Sequence, residues 1–125
     1  MLEGATVHTT LPVLDMERAT RFYTEKVGAT AGDAVPGATF MRLGDTQFTL
    51  YPTPNAERGG HTQMGIRVPD VTAAVEELRG RGITFEEYDF PGLKTENGIA
   101  DTGGAKAAWF KDSEGNIIGV VQIQS

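Results

Sequence analysis

The feature that most constrains this chain is a weak internal repeat. Leu11-Pro12-Val13-Leu14-Asp15 and Ile66-Arg67-Val68-Pro69-Asp70 share an apolar-x-Val-x-Asp pattern, in which Asp70 answers Asp15. Each copy ends a strand-like run and opens a helical one. After Asp15, the residues Met16, Ala19, Phe22, Tyr23 and Val27 recur at helical spacing, and after Asp70 so do Val71, Ala74, Val75 and Leu78. An aspartate at such a boundary accepts a free N–H of the first helical turn, so Asp15 and Asp70 stand where N-caps belong. Gly28 and either Gly80 or Gly82 stand where the helices stop.

Each helix is followed by segments that alternate like strands. Thr39 to Leu43 and Thr46 to Tyr51 flank Gly44-Asp45, a two-residue hairpin signal. Such a turn sets Phe40 opposite Thr49, Arg42 opposite Gln47 and Ala38 opposite Tyr51, and it turns Met41, Phe48 and Leu50 toward the helices. In the second half, Ala107 to Lys111 and Ile117 to Val121 flank Asp112 to Asn116. That pairs Trp109 with Gly119 and Ala107 with Val121, and it sends Phe110, Ile118 and Val120 to the core. Thr84 to Phe90 is expected as another strand, with Ala29 to Val35 as its weaker counterpart. The order is strand, helix and three strands, written twice. Pro52 to Gly60 reads as a linker. Pro91 to Gly104 reads as a long loop, of the kind that forms lids or is disordered.

Composition narrows the function. With 125 residues, 39% of them apolar, the chain suits one compact domain. It has no cysteine, so disulfides, thiolate metal sites and cysteine nucleophiles are excluded. A net charge of −6 repels phosphate backbones, and no nucleic-acid partner is expected. No apolar run is long enough for a membrane span and no signal-like stretch follows Met1, so no membrane partner and a cytoplasmic location are expected. Phosphate loops, nucleophile elbows and HExxH are missing as well.

Taken in order, these segments resemble the vicinal oxygen chelate superfamily of glyoxalase I, extradiol dioxygenases and bleomycin-resistance-type proteins. The matching text is His8-x-x-Leu11-Pro12-Val13-x-Asp15 with Phe22-Tyr23 and Val27-Gly28, then Ile66-x-Val68-x-Asp70-Val71 and Trp109 to Ile118. The resemblance covers nearly the whole chain. It implies an α+β fold in which two βαβββ modules, about 5–54 and 61–123 of a single domain 1–125, form a cupped mixed sheet. It also implies a homodimer, and it makes Pro12 a possible mark of a strand exchanged between subunits.

Enzymes of this superfamily hold a divalent metal with four side chains. Carried over residue by residue, those positions fall on His8, Gln63, Thr49 and Gly119. Both carboxylates of the metal-binding pattern are missing, so no metal and no cofactor are expected. Around these four, strand alternation gathers Phe40, Tyr51 and Trp109, with His61 sharing the parity of Gln63. Such a lining suits a flat, partly apolar ligand. The expected function is metal-independent sequestration of an aromatic small molecule, such as a cytotoxic bleomycin-, mitomycin- or enediyne-type natural product. A metal-free or atypical-metal enzyme of the lyase, isomerase or dioxygenase kind, with His8 as acid or base, is the alternative.

Overall fold

The computed structural model describes residues 2–54 and 60–123. The first half runs β1 (Thr9–Val13), α1 (Met16–Phe22), β2 (Thr30–Val35), β3 (Ala38–Leu43) and β4 (Thr46–Pro52). The second runs β5 (Thr62–Arg67), α2 (Val71–Gly80), β6 (Asp89–Phe90), β7 (Leu93–Lys94), β8 (Ala100–Asp101), β9 (Ala105–Lys111) and β10 (Ile117–Ile123). The linker expected over Pro52 to Gly60 falls in part on residues 55–59, outside the described residues.

Both helix starts follow from the repeated aspartate. The Asp15 carboxylate accepts the Arg18 N–H at 3.0 Å, and that of Asp70 accepts the Ala73 N–H at 3.1 Å. A π-helical turn over Tyr23–Val27 prolongs α1, and it stops at Gly28, whose φ of 89° is the left-handed conformation that favours glycine.

Two four-stranded mixed sheets follow the same plan, in the orders β1-β4-β3-β2 and β5-β10-β9-β8. In each, the first strand pairs parallel with the last, which pairs antiparallel with the one before it. The fold is therefore α+β, as expected. The hairpin registers set Phe40 opposite Thr49, Arg42 opposite Gln47 and Trp109 opposite Gly119. Period-two alternation then decides burial. Met41, Phe48, Leu50, Phe110, Ile118 and Val120 are buried, and they join Val13, Ala19, Tyr23, Val71 and Val75 in one core shared by both sheets and both helices.

One element differs from expectation. Thr84 to Phe90 is not a continuous strand. Phe85 forms a single bridge with Phe110 and the Glu86 N–H donates to the Trp109 carbonyl at 2.8 Å, after which the chain turns away. Glu87 is the physical reason. Its carboxylate accepts the Thr95 hydroxyl at 2.7 Å and the Gly98 N–H at 2.8 Å, while the Tyr88 N–H donates to Thr95 Oγ1 at 2.8 Å. Those bonds, the hydroxyl first and the amide next, hold the Glu87 carboxyl below its ordinary pKa. They also fold the expected loop, so Pro91 to Gly104 carries β7 and β8, and β8 replaces Thr84–Phe90 as the edge strand beside β9.

Candidate functional site

The candidate residues divide by sheet. On the first, Thr49 lies between Phe40 on β3 and Thr10 on β1, and Tyr51 follows it on the same face opposite Pro12. Thr49 is buried and Phe40 half-buried, whereas Tyr51 is exposed. On the second sheet, Trp109 and Gly119 are paired neighbours. A methyl group added at Gly119 would stand 3.4 Å from Trp109 Nε1 and 3.3 Å from Thr62 Cγ2, so the bare glycine is what lets the indole and the threonine approach each other.

Gln63 sits in a β-bulge. Ile117 pairs with Thr62 and Ile118 with Met64, which leaves Gln63 as the extra residue of β5. Thr49 Oγ1 and Gln63 Oε1 are both buried without a hydrogen-bond partner. A buried polar atom left unpaired costs roughly 1–3 kcal/mol, so these two oxygens are the places where a bound polar group would be most welcome. His8 and His61 lie outside the strands, ahead of β1 and β5, and both are exposed.

Sequence reasoning missed Tyr88. Its ring centroid lies 5.6 Å from that of Trp109 at an interplanar angle of 71°, and Phe90 stands 6.0 Å beyond it. Two rings at such an angle form an inside corner, where one can stack on a flat ligand while the other meets its edge. Burial, and then the charge of Glu86, push the Tyr88 phenol above its ordinary pKa, so it stays a neutral donor. Glu86 pairs with Lys111 at 3.4 Å close by. No pattern pointed to Tyr88, because alternation fails once Glu87 bends the segment.

A cavity of about 680 Å³ opens elsewhere, on the helix side. Leu43 and Phe48 of the first hairpin line it together with Met64, Ile66 and Val68 of the β5 region and with Ala74 and Leu78 of α2. Of the candidate residues, His8 lines this cavity and the others do not. The structure thus leaves Phe40, Thr49 and Tyr51 on one sheet face and Trp109 and Gly119 on another, and it places His8 at the helix-side cavity.

The geometry has close parallels. The glyoxalase/bleomycin resistance protein/dioxygenase superfamily matches residues 5–120, and the chain belongs to that superfamily. Among solved structures it is similar to TnmS3, an antibiotic binding protein from Streptomyces sp. CB03234, with 24% identity, a TM-score of 0.70, and coverage of 99% of this chain and 100% of that one. It is also similar to the fosfomycin resistance protein FosX from Mesorhizobium loti, with 19% identity, a TM-score of 0.67, and coverage of 99% and 95%. A glyoxalase/bleomycin resistance protein/dioxygenase from Nocardioides shares 20% identity with a TM-score of 0.69, over 100% of this chain and 87% of that one. No curated protein sequence matches the chain. Among the described residues, no helix is long and apolar enough to cross a membrane.

The divalent metal of the superfamily's enzymes does not fit this donor set. His8, Thr49, Gln63 and Gly119 supply one imidazole, two neutral oxygens and no carboxylate, whereas a hard or borderline dication needs anionic donors. No three histidine or acidic side chains gather into an alternative set among the described residues.

Proposed function

We propose that this protein binds a flat aromatic small molecule without a metal and sequesters it unchanged, as a self-resistance protein does with a bleomycin-, mitomycin- or enediyne-type antibiotic. The observation that carries this reading is the corner made by Trp109 and Tyr88 beside Gly119. The half-buried indole meets the Tyr88 ring at a steep angle, its N–H donates to no described residue, and Gly119 lies against it without a side chain of its own. On the same sheet as Trp109, the unpaired oxygen of Gln63 in the β5 bulge is an acceptor that favours a ligand carrying a donor. The likeness to an antibiotic binding protein supports the same reading. The site includes a second copy of the chain, a reading supported by the exposed Tyr51, Phe90 and Ile123.

The test follows Trp109 fluorescence while bleomycin, mitomycin and enediyne-type antibiotics are titrated in. Saturable quenching is expected, with the ligand recovered intact. Gly119→Ala should weaken it about tenfold, which is about 1.4 kcal/mol, because the methyl group presses on Trp109 and Thr62. Conversion of the ligand would move the reading to catalysis, and quenching untouched by Gly119→Ala would remove the corner from the site.

A further inference from the structure

The face of the second sheet that bears Trp109 differs in charge from the chain as a whole. Side chains alternate along its strands, and the register puts Gly65 and Arg67 of β5 on the same face as Gly119 of β10 and Trp109 and Lys111 of β9. Two strand residues of this face are cationic, Arg67 and Lys111, and none is acidic, although the chain has 17 acids to 11 bases. Lys111 is engaged by Glu86 at 3.4 Å. Arg67 is exposed, and among the described residues its guanidinium has no hydrogen bond or ion pair. Between Arg67 and the indole the sheet is bare. Gly65 and Gly119 are register partners, and a β-carbon at Gly119 would stand 3.4 Å from Trp109 Nε1, whereas one at Gly65 would meet nothing within 4 Å. A glycine inside a strand weakens it and marks a place where another group can approach the backbone closely. From Trp109 to Arg67 is two strand spacings across and two residues along, roughly 12 Å between backbones, a gap that a fused-ring body and an arginine side chain bridge together.

We propose that the aromatic ligand of this site carries an anionic oxygen, a carboxylate or an ionised phenol, which lies over Gly65 and is bound by Arg67 while the ring body rests against Trp109. The inference rests on the reading of the Trp109 corner as the binding site, and it adds the charge of the ligand and the residue that reads it. Arginine suits that role because its planar fork matches a carboxylate with two parallel N–H bonds. Trp109 Nε1–H, at the Gly119 edge of the same bare patch, is a second donor with no acceptor among the described residues. A face with uncommitted donors and no acid of its own is complementary to an anion.

Calorimetry with 2-naphthoate, its neutral analogue 2-naphthamide and the cationic 2-naphthylmethylamine tests it. The three share one ring body, so the corner is common to them and only the head group differs. Naphthoate is expected to bind about fivefold more tightly than naphthamide, the scale of a partly exposed ion pair, and the amine to bind least tightly. Arg67→Gln should bring naphthoate down to the affinity of naphthamide. Gly65→Val places its side chain in open space, so it should not lower the urea midpoint, yet it should weaken naphthoate about tenfold. Equal affinity for naphthoate and naphthamide, or a preference that survives Arg67→Gln, overturns the anion assignment and leaves the corner standing, since Gly119→Ala would still weaken both probes. Wild-type naphthoate affinity in Gly65→Val overturns it equally, because the ligand would then not lie over β5. No saturable heat from any of the three probes removes the aromatic corner itself, and this proposal with it.

Discussion

The two halves of the molecule repeat one plan, yet the places where each half's hairpin turn meets the other half are built in opposite ways. The β9–β10 turn is five residues long, Asp112 to Asn116, and it reaches into the β1–α1 junction. There the Glu114 carboxylate accepts the N–H groups of Leu14 at 2.9 Å and Asp15 at 2.8 Å, and Arg18 Nε at 2.7 Å. Asn116 Nδ2 donates to the Pro12 carbonyl at 3.0 Å, and the Tyr23 hydroxyl donates to Asp112 at 2.6 Å. The β3–β4 turn has two residues, Gly44 and Asp45. Its flanks, Leu43 and Thr46, line the cavity beside the end of β5 and α2, at the place equivalent to the one Glu114 fills. A long turn that brings its own polar partners closes one joint. A short turn with nothing to insert leaves the other open and apolar. In this duplicated fold the locked joint goes with the longer turn and its polar side chains, and the open joint with the shorter turn that carries none of them inward.

The largest effect expected from this contrast belongs to Glu114→Ala. The residue is only 1% exposed, and its removal leaves two backbone N–H groups without their acceptor. Hydrogen bonds to a charged group are worth roughly 1.5–3 kcal/mol, so a loss of about 3 kcal/mol is expected in urea unfolding. The same group sets an acid dependence. Burial alone would raise the Glu114 carboxyl, but hydrogen bonds from Arg18, from the Asp15 and Leu14 amides and from Ser113 bring it down to about 2. A carboxyl depressed in the folded state stabilises the protein above the unfolded value of roughly 4.3, and that stability is lost as pH falls from there toward 2. The wild type should lose up to about 3 kcal/mol over that window, at 1.4 kcal/mol per pKa unit. Glu114→Ala should show a much flatter acid limb; an unchanged limb would mean that another carboxyl controls it.

The contrast also explains what the sequence made legible. Helix caps, hairpin registers and core faces were readable because they obey local rules: Asp15 and Asp70 cap within three residues, and Met41, Phe48, Phe110 and Val120 alternate strictly. Glu114 was not readable, because a carboxylate between Ser113 and Gly115 looks like an ordinary solvated turn. Its partners Leu14 and Asp15 lie 100 and 99 residues away. The cavity was hidden for a related reason, since Leu78 and Val68 fit an apolar pattern whether the space before them is filled or open. Tyr88 was lost where the hydrogen bonds of Glu87 broke the alternation that would have placed it.

A middle-sized effect is expected from Tyr23→Phe. Tyr23 is fully buried, and its hydroxyl reaches the Asp112 carboxylate. Burial, then the charge of Asp112, push the phenol well above its ordinary pKa, so it remains a donor throughout the working range. Asp112 keeps its bonds from Asn116 Nδ2 and from the Glu114 and Asn116 amides. The variant should therefore cost about 1.5–3 kcal/mol, the usual range for one hydrogen bond to a charged group. In the repeat, Leu78 on α2 is the counterpart of Tyr23, and it has no hydroxyl to offer a turn. Thermal unfolding would sharpen the comparison. A loss below about 0.5 kcal/mol, the floor for a net hydrogen bond, would mean that Asp112 is held by its own turn and that the contact with α1 adds little.

The smallest effect is expected from Asp45→Ala, and it is the cleanest way to break the comparison. Asp45 is the acid of the short turn, as Glu114 is of the long one, but it is exposed and lies in no hydrogen-bonded joint among the described residues. The turn itself depends on Gly44, whose φ of 60° suits the first position of a two-residue hairpin, and not on its neighbour. Replacing Asp45 should change stability by less than about 0.5 kcal/mol, as at other exposed sites, and it should leave the acid limb unaltered. A cost near that of Glu114→Ala would show that the short turn also anchors its joint through a carboxylate. The difference between lock and cavity would then have to come from packing at α2, where Ala73 and Ala74 take the places that Arg18 and Ala19 hold in the first half of the repeat.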